Sequence, residues 1–462
     1  MRFERRSDQP ENPFSRLAPD QTIAIVPEFT FESGAKIHDV PVAYKTWGVL
    51  NAEGDNCMLI CHPLTRSVDV EDWWGNCWGS CPIEGKGKVI DESKFFIVCL
   101  NVMGSPYGSA SPLTVNLKTG ARYGPEFPLA TIRDDCRLHK MVLDDLGVKS
   151  VAICLGGSMA GMHVYEWALY GSDYIKLIVP ISAPAKSSAW SMSWTESQRQ
   201  SIFTDPKYKD GYYSLEEPPK QGMTAARMNA MLTYRTRASY ERRFGRAVMD
   251  NSEPEAAGIL SKDEADSSDV HRRIHNEGHR HMNTSSSFST GLQTPKGCDS
   301  PAINSTKSLD AGSKDTEDYK PPVYSAHSYL RYQADKFNER FDANCYIHLS
   351  RKMDSHDVSF RRGPYKEIIK SITQPVLVVA IESDVLYPLY EIRALSKLLP
   401  ASEFIPVKSD EGHDGLLLEW EQINEAIVAF MQKHEPTRSL IAREGVAVAP
   451  KTATRGSLFA SW

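Results

Sequence analysis

The sequence predicts an α/β fold with a mostly parallel central sheet and a helical segment inserted between its strands. Three observations carry that expectation. An apolar run at 150–155 reads as a buried strand and passes through Gly156, Gly157 and Ser158 into a helical pattern from His163 to Tyr170. A β-branched run opened by Pro375 ends at Asp384, and a shorter strand beginning at Glu403 runs into Gly412-His413-Asp414. Residues 187–364 lack strand patterns and carry helical ones, among them 194–203, 222–233 and 325–340.

The first of these is also chemical. A lone serine held on a sharp strand-to-helix turn is the nucleophile elbow of the α/β-hydrolase fold, where the turn lifts the hydroxyl above the sheet. The usual spacing is Gly-x-Ser-x-Gly; here Ala160 stands in the last position and Gly161 follows it. The start of the following helix leaves the Met159 amide without an intrahelical acceptor beside the hydroxyl, available to an oxyanion.

A serine nucleophile needs a base and a group that orients the base, arriving in the order Ser, acid, His. Asp384 and His413 follow Ser158 in that order, 29 residues apart, with one helical segment at about 391–399 between them. That β-α-β spacing places both on strand ends at the same edge as Ser158. A further strand at 56–61 is followed by His62-Pro63-Leu64-Thr65-Arg66, the position of an oxyanion loop. Leu64 is then the second amide donor beside Met159. His62 competes with His413 as a base, but it precedes the acid and lies on the oxyanion loop, so support of that loop is the preferred reading.

The expected organisation follows. Residues 20–182 and 371–433 form the α/β-hydrolase core, closed by a helix at 422–433. Residues 183–370 form a helical lid that excludes water from an acyl-enzyme. Within the lid, about 250–322 is dense in Ser, Asp, Lys, Gly and Asn and is expected to be disordered, so His271, His275, His279 and His281 read as solvated side chains. Residues 434–462 form a C-terminal tail.

Composition limits the function. With 41% hydrophobic residues in 462, the chain can bury a large core. A net charge of -6 and scattered arginines argue against nucleic-acid binding. No apolar run is long enough to span a membrane, and the first residues lack the apolar stretch of a secretion signal, so the cytosol is the expected compartment. Nine cysteines, several inside predicted strands, suit a reducing compartment. The pairs Cys57/Cys61 and Cys77/Cys81 invite a zinc reading, but the first lies within a strand, and no metal site is expected. Cys77 and Cys81 remain candidates for a reactive thiol.

Beyond these features the chain resembles the homoserine O-acetyltransferases, and among them the fungal enzymes of methionine synthesis. The resemblance rests on Asp39-Val-Pro-Val-Ala-Tyr-Lys-Thr-Trp-Gly48, Asp69-Val-Glu-Asp-Trp-Trp74, Asn101-Val-Met-Gly-Ser-Pro-Tyr-Gly108 and Thr131-Ile-Arg-Asp-Asp135. It continues through 156–162, Ala226-Arg227, Thr233-Tyr234-Arg235, Ser328-Tyr-Leu-Arg-Tyr-Gln333 and Glu411-Gly-His-Asp414, in one order and over nearly the whole chain. It implies a double displacement: Ser158 takes the acetyl group from acetyl-CoA and passes it to the hydroxyl of L-homoserine, with no permanently bound cofactor. It also implies that Arg227 pairs with the substrate carboxylate and Asp414 with its ammonium, that Thr65 and Tyr234 line the pocket, and that the protein is a homodimer. Without the resemblance, Arg227 reads as an exposed helix residue.

Three positions depart from the family pattern. Pro63 and Arg66 replace Ala and Gly in its His-Ala-Leu-Thr-Gly, and Ala160 replaces a glycine. Pro63 spares the Leu64 amide and stiffens the loop. Arg66 has three readings: contact with a CoA phosphate, a changed acceptor, or a solvated side chain. The alternative functions are acetylation of serine or deacetylcephalosporin C, and a serine esterase or thioesterase with the same triad.

Overall fold

The computed structural model describes residues 3–79, 87–248, 275–279 and 322–435. It divides into two compact units, Met1–Arg243 with Tyr329–Trp462, and Phe244–Ser328. Most of the 250–322 segment, with His271 and His281, lies outside the described residues, as do Cys81 and the tail beyond 435. In the described part of the second unit, Val248 and Tyr324 form an isolated antiparallel bridge.

The larger unit is built on one nine-stranded sheet in the order β1-β2-β3-β5-β4-β6-β7-β8-β9. Its strands are β1 (Glu4–Arg6), β2 (Thr22–Thr30), β3 (Lys36–Trp47), β4 (Cys57–Ile60), β5 (Phe96–Leu100), β6 (Val151–Gly157), β7 (Ile175–Ile181), β8 (Val376–Ile381) and β9 (Ser402–Val407). From β5 to β9 every neighbouring pair is parallel, while β1, β2 and β3 add an antiparallel flank. All residues of β4, β5, β6 and β8 are buried, which is why these strands read as continuous apolar runs rather than alternating ones. β9 lies at the edge, and Pro406, which has no amide to give the ladder, is tolerated there.

The core begins earlier than residue 20. Glu4–Arg6 pairs antiparallel with Ile23–Ile25, and Phe3 N donates to Asp145 Oδ1 at 3.0 Å. An exposed strand of charged residues has no apolar period, so only backbone pairing reveals it. The nucleophile helix, Met159–Ala168, begins directly after Ser158, four residues before the helical pattern becomes readable at His163, and is buried throughout. The helix Leu389–Ser396 connects β8 to β9, and Trp420–His434 closes the core.

Between β7 and β8 the described residues form helices and no strand, including Ala189–Phe203, Lys220–Tyr234, Ser325–Asn338 and Ala343–Asp354. The Thr131 motif is a helix start. Thr131 Oγ1 accepts from Asp134 N at 3.0 Å, and Thr131 N donates back to Asp134 Oδ2 at 3.2 Å, a capping box that opens the helix Ile132–Asp145. It leaves Asp135 facing the core. No helix among the described residues is long and apolar enough to cross a membrane.

Candidate active site

Ser158 occupies the turn between β6 and its helix at φ 61° and ψ −130°, a conformation disfavoured for a residue with a side chain. Holding it costs of order 1–3 kcal/mol, which the packing around it must supply. That packing depends on two glycines. A Cβ on Gly161 would lie 2.3 Å from the Ala183 methyl, and one on Gly156 would lie 2.7 Å from the Ala160 methyl. Ala160 therefore fits because Gly156 leaves room for it; the departure is local packing, with the helix still crossing the strand closely.

The three expected partners meet at the C-terminal edge of the parallel strands. His413 Nε2 lies 2.8 Å from Ser158 Oγ, and His413 Nδ1 lies 2.7 Å from Asp384 Oδ2. The other oxygen, Asp384 Oδ1, accepts the amides of Leu386 at 2.8 Å and Tyr387 at 3.0 Å, which pins the carboxylate. His413 stands in a short turn whose first residue, Gly412, donates its amide to Ser383 Oγ at 3.0 Å. Burial by itself lowers the basicity of His413, but the Asp384 carboxylate more than offsets it and the net shift is upward.

The serine opens into a cleft lined by Leu64, Thr65, Arg66, Arg227, Tyr234 and Asp414 as well as His413. Arg227 is not the exposed helix residue that its local sequence suggests. Its Nε and Nη1 are buried with no hydrogen-bond partner, and the guanidinium lies over the Phe337 ring at 4.8 Å and the Tyr234 ring at 5.5 Å. Buried guanidinium nitrogens without a hydrogen-bond partner are costly, and a carboxylate ligand would relieve that cost. The Tyr234 ring stands 6.3 Å from that of His413.

Asp414 arrives already paired: Arg235 Nε donates to its Oδ2 at 2.7 Å, and Arg235 Nη1 also bonds Glu411. Burial raises the Asp414 carboxyl above the usual carboxylate range, against the pull of Arg235, His413 and Arg227. The solvated reading of Arg66 fails, because it is 5% exposed. Burial, with the neighbouring Arg340 and Arg227, lowers its guanidinium to about 9.

His62 is fully buried, and desolvation lowers it to about 3. Its Nε2 accepts the Val102 amide at 3.1 Å and its Nδ1 lies 3.0 Å from Pro63 O, so it supports the loop rather than serving as a second base. The thiol of Cys77 is buried and pushed up to about 12 by desolvation, which disfavours the thiolate that a reactive cysteine needs. Among the described residues, no group of three or more His, Cys, Asp or Glu side chains is placed to hold a metal ion.

Two site residues escape a reading along the chain. Arg235 stands beside Tyr234 in a motif that drew attention to its neighbours, yet it is the partner of Asp414. Arg340 Nη1 donates to Thr65 O at 2.9 Å and to the Tyr107 hydroxyl at 3.1 Å, tying down the end of the 62–66 loop from a helix-to-loop junction with no local signal.

The sheet order, the strained serine and the Ser158–His413–Asp384 chain define a member of the alpha/beta hydrolase fold family, whose model matches residues 57–419. In fold the chain is similar to an acetylester hydrolase from Corynebacterium glutamicum, with a TM-score of 0.65 and 20% identity over 90% of this chain and 97% of that one. It is similar to the same degree to homoserine O-acetyltransferase from Bacillus anthracis, with a TM-score of 0.64 and 19% identity over 88% of this chain and 97% of that one. In sequence it is 44% identical to the homoserine O-acetyltransferase of Ascobolus immersus, over 97% of this chain and 94% of that protein. The chain belongs to the homoserine O-acetyltransferase family, a family of acyltransferases.

Proposed function

We propose that this protein transfers the acetyl group of acetyl-CoA to the hydroxyl of L-homoserine through an acetyl-serine intermediate. The observation that carries the reading is the juxtaposition, in one cleft, of a Ser158 hydroxyl 2.8 Å from its base with an arginine whose inner nitrogens have no partner. A hydrolase of simple esters has no use for an arginine with unpartnered inner nitrogens there; an amino-acid acceptor does.

In the first half, His413 takes the Ser158 proton as Oγ attacks the thioester carbonyl. The Leu64 and Met159 amides hold the resulting oxyanion. The tetrahedral adduct collapses, the C–S bond breaks, and the CoA thiol leaves with the proton from His413. In the second half, His413 takes the proton of the homoserine hydroxyl, whose oxygen attacks the acetyl-serine. Collapse returns the proton to Ser158 and releases the acetyl ester. Arg227 binds the acceptor carboxylate, Asp414 its ammonium, and Thr65 and Tyr234 complete the pocket. The helices of 183–370 act as a lid that keeps water from the acetyl-serine. The cytosol is the compartment proposed for this chemistry.

The test is CoA release from acetyl-CoA by purified protein with L-homoserine, L-serine or no acceptor. Strong stimulation by homoserine alone is expected. Stimulation by serine moves the function to another acceptor, and release indifferent to any acceptor moves it to hydrolysis.

A further inference from the structure

The Pro63 carbonyl is held from two sides. His62 Nδ1 lies 3.0 Å from Pro63 O, and the Arg66 amide donates to the same oxygen at 3.0 Å. On the far side of the ring, His62 Nε2 lies 3.1 Å from the Val102 nitrogen, whose N–H can only donate. Nε2 is therefore the acceptor, and the ring proton belongs to Nδ1 and points at Pro63 O.

That bond controls more than a carbonyl. Pro63 C=O and Leu64 N–H belong to one planar trans peptide, so the direction of the first dictates the opposite direction of the second. The proline ring already restricts φ at residue 63, and the two bonds to its carbonyl fix ψ. Proline at this position is thus a second restraint on the same amide.

Val102 is anchored in turn. The next residue, Met103, donates its amide to Asp135 Oδ1 at 3.0 Å and accepts from Lys352 Nζ at 2.6 Å. Lys352 Nζ also lies 2.6 Å from Asp135 Oδ2, and both side chains are fully buried. The same Asp135 Oδ2 lies 2.8 Å from His163 Nε2, and His163 Nδ1 lies 2.9 Å from Met159 O. One buried carboxylate thereby ties together the segments that carry both amides of the oxyanion hole.

We propose that His62 is a positioning residue for acyl transfer: as the Nδ1–H tautomer, held by the Val102 amide, it aims the Leu64 N–H at the oxyanion. This deepens the function proposed above and rests on it.

The test uses His62→Gln and His62→Asn in the full chain. Glutamine places an acceptor near the Nε2 position but no donor at Nδ1; asparagine places a donor near Nδ1. The acylation rate is measured as the CoA burst from acetyl-CoA, and as the thiol burst from its dithioester, in which sulfur replaces the carbonyl oxygen and accepts hydrogen bonds poorly. Loss of one oxyanion donor costs about 10²–10³-fold. We expect His62→Gln to lose roughly 10²-fold on acetyl-CoA, to lose much less on the dithioester, and to keep the pH profile of acylation. His62→Asn retains most of the wild-type rate and oxygen-over-sulfur preference.

An unchanged rate in His62→Gln, or a loss equal for both thioesters, overturns the proposal, as does equal damage in His62→Asn. If neither variant folds, ¹⁵N-histidine NMR of the wild-type protein decides: an Nδ1–H tautomer for His62 across pH 6–9 upholds the assignment, and an Nε2–H tautomer or an imidazolium overturns it. A wild-type protein that releases no CoA removes the proposed function itself, an outcome distinct from an active wild type beside an indifferent variant.

Discussion

Arg235 Nε donates to Asp414 Oδ2 at 2.7 Å, and both side chains are at most about one-tenth exposed. The acid next to the base is therefore part of an ion pair before any substrate enters, and Arg235 continues to Glu411 on the same loop as His413. In the proposed reaction the acceptor ammonium would share a carboxylate that Arg235 already orients. Asp414→Asn keeps an acceptor for Arg235 but removes the charge, so the KM for homoserine should rise at least ~10-fold while the CoA burst stays close to wild type. Arg235→Leu leaves the buried Asp414 without its cation, while Glu411 keeps Arg242 and Ser239, and should cost about 3–5 kcal/mol in urea unfolding. A milder effect in Arg235→Leu than in Asp414→Asn on both readouts would contradict this order of roles.

Arg227→Ala removes the cation whose Nε and Nη1 lack partners. A hydrogen bond to a charged group contributes about 1.5–3 kcal/mol, so acceptor kcat/KM should fall roughly 10- to 150-fold. Acylation by acetyl-CoA, followed as burst amplitude and rate, should be unchanged; a lost burst would place Arg227 in the first half of the reaction instead.

The base must be neutral to accept a proton, and the Asp384 carboxylate keeps His413 above its ordinary value of 6.5 despite burial. Acylation should therefore rise with pH through a midpoint above 6.5. Asp384→Asn removes the charge that raises it, so the limb should move to lower pH as the rate falls. Stopped-flow pH profiles of the two proteins check the sign; an upward move in the variant would be incompatible with this geometry.

At the elbow, Gly156→Ala and Ala160→Gly should behave oppositely. The first forces two methyls to within 2.7 Å and should abolish activity or folding. The second removes one methyl from a helix and should cost about 1 kcal/mol with activity retained. Thermal unfolding and CoA release measured together distinguish them.

Lys352 is the buried counterion of Asp135, at 2.6 Å. Lys352→Met leaves that carboxylate without its cation and should destabilise the protein by about 3–5 kcal/mol, whereas the double change Asp135→Asn/Lys352→Met should cost less than the two single losses added together. Additive losses in urea titration would show that the two groups act independently.

The parts of the site legible along the chain are those written locally. Strand ends, their order, and a serine between glycines follow from apolar period and turn chemistry, so Ser158, Asp384 and His413 could be named before any geometry. The helical pattern is readable only from His163, although the helix begins at Met159, because Met159, Ala160 and Gly161 carry no amphipathic period when every face is buried. The strand at Glu4–Arg6 leaves no apolar pattern because its residues are exposed and charged; backbone pairing with β2 and the contacts of Arg5 with Tyr44 and Asp145 hold it.

The sequence by itself determined the fold class, the order of the three residues and the family to which they point. Tertiary structure decided who pairs with whom: Arg235 with Asp414 across 179 residues, Lys352 with Asp135 across 217, Arg340 with Thr65 across 275. It also turned Arg227 inward and assigned the two nitrogens of His62. Period and propensity are properties of neighbouring residues. The choice of a partner for a buried charge or amide depends instead on distances of a few ångströms, set by how strands and helices far apart in the chain come to pack.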